Sequence, residues 1–115
     1  MPERIPFPDN VPGDFYVEDG CCTACGLPMT EAPGLFAYAS DGHCYVRRQP
    51  SSATDMARMI DALAVQELDC IRYKGKNRVV QIRIVAIGEG EQCDHLPEDL
   101  AALNNEVKAD RAGLG

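Results

Sequence analysis

Met56, Met59, Ile60 and Leu63 recur at i, i+3, i+4 and i+7, a spacing that predicts an amphipathic helix over residues 51–68. Ser52 or Thr54 would cap its start, and Asp55 suits the first turn. Short strands are predicted at residues 14–19 and 70–73. Leu35-Phe36-Ala37-Tyr38 and Cys44-Tyr45-Val46-Arg47 flank Ser40-Asp41-Gly42, which predicts a hairpin with Asp-Gly in the turn. On its second arm Cys44 and Val46 would share one face, and Tyr45 and Arg47 the other.

Residues 78–87 carry a mixed pattern. Val79, Val80, Ile82, Ile84, Val85 and Ile87 favour a strand by propensity, while Val80, Ile84 and Ile87 also line one helical face. The expectation leans to a strand. Pro97 would open a final helix with Leu100, Leu103 and Val107 as its apolar stripe, fraying from Asp110 on. Pro28 to Ala32 could form one helical turn, ended by Pro33-Gly34. Residues 1–13, with four prolines, read as an extended arm lying on the domain or free of it.

The chain has 115 residues, 45% of them apolar, which suffices for one domain with a real core. The expected division is an arm at 1–13, a main unit at 14–75 and a C-terminal extension at 76–115 packed on it. A net charge of −7 argues against nucleic acid, whose phosphates need a basic stripe, and suits a basic protein partner. The first residues form neither a signal peptide nor a membrane span, so the expected location is cytoplasmic, with no membrane partner. In that compartment six cysteines read as metal, redox or core residues ahead of disulfides. There is no nucleophile elbow, no phosphate-cradling glycine loop and no H-E-x-x-H, and the expectation is a protein that is not an enzyme.

The candidate chemistry lies in Cys21-Cys22-Thr23-Ala24-Cys25-Gly26. A C-x-x-C turn brings two sulfurs to one side, where both can reach one metal ion. A zinc site needs four ligands, and Cys93-Asp94-His95 is the best second supplier. The metal set read from the sequence is therefore Cys22, Cys25, Cys93 and His95, with Cys21 and Cys70 as alternates. Cys44 and Cys70 sit among apolar neighbours and read first as core. His43, in the hairpin turn, is assigned no role.

Residues 14–73 resemble a small bacterial ferredoxin carrying a single cluster. The matching pieces are Val17-Glu18-Asp19, Cys22-Thr23-Ala24-Cys25-Gly26, Ala32-Pro33-Gly34-Leu35-Phe36, Asp41-Gly42, the helix around 54–66 and Asp69-Cys70-Ile71-Arg72. The resemblance implies an α+β fold: a ferredoxin-like small domain of antiparallel strands with one long helix, here extended by a C-terminal segment with a helix. It places Cys22 and Cys25 on the first two ligand positions. Pro28 falls on the third and Gln66 or a neighbour on the fourth, and neither side chain serves an iron–sulfur cluster.

Three functional readings follow. The first is a ferredoxin-like metal-binding protein that has lost the standard cluster ligands and holds a structural zinc. The second is an electron carrier with an atypical iron–sulfur cluster on Cys22, Cys25, Cys70 and one of Cys21 or Cys93. The third is an acidic interaction partner of a basic protein or toxin, without metal.

Overall fold

The computed structural model describes residues 5–21, 30–65 and 70–114. Within them the chain is an α+β domain with two small antiparallel sheets and three helices. Strand β1 (Phe15–Val17) pairs with β4 (Ile71–Tyr73), with Phe15 opposite Tyr73 and Val17 opposite Ile71. Strands β2 (Phe36–Tyr38) and β3 (Cys44–Val46) form the hairpin. Helix α1 spans Ala53–Val65, α2 Arg78–Ala86 and α3 Glu98–Leu114, with a 3-10 turn at Gly90–Gln92.

The hairpin turn follows the sequence reading. Gly42 adopts φ +86°, a left-handed conformation that suits glycine, and the Asp41 carboxylate accepts the His43 N–H at 3.0 Å. Val46 is fully buried, Cys44 packs against the core and Arg47 is exposed, so the two faces separate as expected. In α1 the Ser52 hydroxyl accepts the Asp55 N–H at 3.0 Å, which makes Ser52 the cap. Met59, Ile60 and Leu63 are buried and Met56 packs at the edge of the same cluster.

Residues 78–86 form a helix where the apolar run leans to a strand. Two local bonds decide it. The Asn77 side chain accepts the Val80 N–H at 3.2 Å and caps the N-terminus. At the other end Gly88, at φ +77°, donates to Val85 O at 2.8 Å, and Glu89 donates to Ile84 O at 3.1 Å. Val80, Ile84 and Val85 face the core, while Val79 and Ile82 are exposed. The apolar residues on every side of α2 are what hide its helical period.

Helix α3 begins after Pro97 and runs to Leu114, past the expected fraying point at Asp110. Its buried stripe is Leu100 and Asn104, and Leu103 is exposed. The physical reason is a backbone demand: the buried Gly90 N–H needs an acceptor, and Asn104 Oδ1 supplies it at 2.9 Å.

The described part of the arm, residues 5–13, lies on the domain. Phe7 N–H bonds Val17 O at 2.9 Å and Asp19 N–H bonds Ile5 O at 2.7 Å. Asn10 then joins the two sheets. Its Nδ2 donates to Phe7 O and Val17 O, and its Oδ1 accepts from Val17 N–H and Val46 N–H. Gln49 does similar work for Phe15, accepting its N–H at 3.1 Å and donating to its carbonyl at 2.8 Å.

Candidate functional site: a cysteine corner

Cys21 lies four residues beyond the end of β1, and Cys70 immediately precedes β4. Antiparallel pairing of Val17 with Ile71, extended by Glu18 N–H to Cys70 O at 2.8 Å, brings the two cysteines together. They form a disulfide with their Cα atoms 5.5 Å apart, closing a sequence separation of 49. The expectation that ranks metal, redox and core roles ahead of disulfides is corrected here for this pair. Cys70 is buried, as a core cysteine would be, and it is also crosslinked. Cys21 is half-buried against the same apolar cluster.

This corner is also where two other segments of interest begin and end. The C-x-x-C loop starts one residue after Cys21, and the segment after α1 finishes at Cys70. Cys22, Cys25, Pro28 and Gln66 lie outside the described residues.

Cys93 and His95 are placed elsewhere. Cys93 pairs in parallel with Tyr73, the far end of β4, and is buried in the apolar core. Tyr73 lies three residue steps beyond Cys70, about 10 Å at the usual strand rise. From Cys93 the chain continues away from the corner. Asp94 N–H bonds Tyr73 O at 2.9 Å, and the Gln81 amide bonds both Gly75 O and His95 O. The His95 residue is exposed. The structure thus draws the alternates Cys21 and Cys70 together, and it places Cys93 and His95 at the opposite end of β4. Among the described residues no group of three or more His, Cys, Asp or Glu side chains is arranged to hold a metal ion.

Between the corner and the Tyr73 end, the β1–β4 ribbon carries a polar row that sequence reasoning missed. Arg72 Nε donates to Glu18 at 3.1 Å and its Nη1 to the buried Gln92 at 2.5 Å. Tyr16 donates to Asp94 at 2.5 Å. These bonds tie the 3-10 turn and the Cys93 segment to the ribbon. The signal was faint in the sequence, since Arg72 reads there only as one of several basic residues. Two further arginines are paired with carboxylates in the same way, Arg48 with Asp55 and Arg78 with Asp99.

His43 is also held. Its ring stacks on Phe7 with centroids 3.8 Å apart. Nε2 accepts the Gly20 N–H at 3.0 Å and Nδ1 lies 2.8 Å from Cys44 O, an arrangement that suits a neutral ring carrying its proton on Nδ1. The imidazole therefore anchors the turn that leads into Cys21.

No protein-family model, no curated protein and no solved structure matches this chain. No helix among the described residues is long and apolar enough to cross a membrane.

Proposed function

We propose that this chain is a non-enzymatic, ferredoxin-like metal-binding protein whose thiolates gather at the Cys21–Cys70 corner and hold a structural zinc when reduced. The observation that carries the reading is the approach of Cys21 and Cys70 to 5.5 Å between Cα atoms, next to the start of the C-x-x-C loop. The element order supports the ferredoxin-like part of it: first strand, cysteine loop, hairpin, long helix, then a last strand paired back on the first.

The ligand set on this reading is Cys21, Cys22, Cys25 and Cys70. It replaces the pairing with Cys93 and His95, because burial of Cys93 and the course of the chain beyond it lead away from the corner. Four thiolates suit a closed, tetrahedral zinc site. A thiolate is the ligand form of cysteine, so a disulfide withholds both of its sulfurs from the metal. Zinc and the disulfide are then alternative occupants of one corner. Reducing the disulfide transfers two electrons from a dithiol reductant and yields two thiols, which lose their protons on binding zinc.

Protein purified anaerobically under dithiol reductant should contain one zinc per chain and be colourless. Iron and sulfide in near-equal amounts, with visible absorbance that bleaches on dithionite, would assign the corner to an iron–sulfur cluster. Absence of all three from fully reduced protein would overturn the metal reading.

A further inference from the structure

A cleft of about 320 Å³ opens at the opposite end of the β1–β4 ribbon from the Cys21–Cys70 pair. Phe15, Met56 and Val80 give it apolar walls, and Asp14 and Tyr73 bring oxygen atoms to it. The two oxygens converge over Gly75. A Cβ at that glycine would overlap the Tyr73 hydroxyl and lie 2.7 Å from Asp14 Oδ2. Gly75 is buried, and its lack of a side chain lets the Tyr73 ring and the Asp14 carboxylate pack close together against its Cα.

The other polar groups of the cleft are already engaged. Gln49 is bonded to the Phe15 main chain on both of its amide atoms, and Asn77 Oδ1 takes the Val80 N–H. Tyr73 Oη accepts the Asn77 N–H at 3.3 Å, which leaves it a lone pair and a proton. The exposed Asp14 carboxylate has no ion-pair partner among the described residues. No described residue lining the cleft is basic.

We infer that this cleft binds an organic cation, a primary ammonium or guanidinium carried on an apolar stem. Such a head group has donors only, matching an unpaired carboxylate beside a hydroxyl oxygen. Its alkyl stem lies along apolar walls, as lysine and arginine stems do on protein surfaces. An inorganic cation would leave those walls empty, and an anion would meet Asp14. The net charge of −7 draws cations toward the chain. The same chemistry is offered by a free small amine and by a basic side chain of a protein partner.

The test is a titration of the full chain, followed by amide chemical shifts, with n-butylammonium chloride. Butanol and sodium chloride at matched concentration are the controls. The blocked peptide acetyl-Gly-Gly-Lys-Gly-Gly-amide is the second probe. Saturable shifts at Asp14, Phe15, Asn77 and Val80 are expected with the ammonium and not with the controls. Asp14→Asn, at an exposed position that leaves the fold intact, should weaken binding about fivefold or more. Tighter binding of the peptide than of butylammonium assigns the site to a partner's basic side chain, and the reverse assigns it to a free amine. Unsaturable shifts, equal shifts with butanol, or unchanged affinity in Asp14→Asn would each overturn the inference.

Discussion

Asn10 Oδ1 accepts the Val46 N–H at 2.8 Å, and through this bond a residue of the proline-rich arm closes the seam between the two sheets. The same oxygen takes the Val17 N–H, so one side chain serves a strand of each sheet. Asn10→Ala leaves two buried main-chain donors without acceptors. It should destabilise the fold by about 2–6 kcal/mol, at about 1–3 kcal/mol per unsatisfied group. Chemical denaturation of the variant beside the parent measures this.

Deleting residues 1–8 instead keeps the Asn10 bonds to Val17 and Val46 but removes its bonds to Phe7 O, the Phe7 ring from His43 and the main-chain bonds at Ile5 and Phe7. A smaller loss, about 1–2 kcal/mol, is expected. The Gly20–His43 bond should weaken with it, visible as faster amide exchange at Gly20.

The Cys21–Cys70 crosslink closes a long loop that contains the hairpin and α1. Cys70→Ser should lower stability by about 2–4 kcal/mol under oxidising conditions. In the parent, a dithiol reductant should lower the melting temperature in the absence of metal. The variant should show no such dependence on reductant.

Helix α2 sets its neighbours Val79 and Val80 on opposite sides, one exposed and one buried. Val79→Lys should change stability by no more than about 0.5 kcal/mol, whereas Val80→Ala should cost about 1–3 kcal/mol. The discriminating position is Ile82, exposed here but on the same face as Val80 in a strand. Ile82→Lys should therefore be tolerated.

Acid should loosen the helix starts first. Hydrogen bonding from Arg48 holds the Asp55 carboxyl below its usual range, and the Arg78 guanidinium does the same for Asp99. Each carboxyl holds its proton less tightly folded than unfolded. Its contribution is complete above the unfolded pKa and is lost as pH falls through the lowered folded value. Stability should thus decline below about pH 4, and the decline should be shallower in Asp55→Asn. Asp99 is exposed and Asp55 is half-buried beside an exposed Arg48, so the slope will be modest and will flatten further in high salt.

How much of this was legible in the sequence varies with the physical signal. The hairpin and α1 carry local signatures, a positive-φ glycine in one and a clean 3.6-residue period in the other. The lean to strand at 78–87 failed because apolar residues surround α2, and the deciding cap at Asn77 is a single side chain. The polar residues that organise the core, Asn10, Gln49, Gln92 and Asn104, carry no pattern, since each answers a backbone or side-chain partner distant in the chain. At the cysteine corner the sequence reading carries Cys21 and Cys70 only as alternate metal ligands, and no local pattern pairs them. Their grouping depended on strand register: β1–β4 pairing joins Cys21 to Cys70, and the parallel bridge at Tyr73 carries Cys93 and His95 away.

The most direct measurement is the zinc content of reduced, anaerobically handled protein in three forms: parent, Cys70→Ser and His95→Ala. The account predicts one zinc per chain in the parent, the same in His95→Ala, and loss or at least tenfold weaker binding in Cys70→Ser. Full retention in Cys70→Ser together with loss in His95→Ala would contradict a metal site at the Cys21–Cys70 corner.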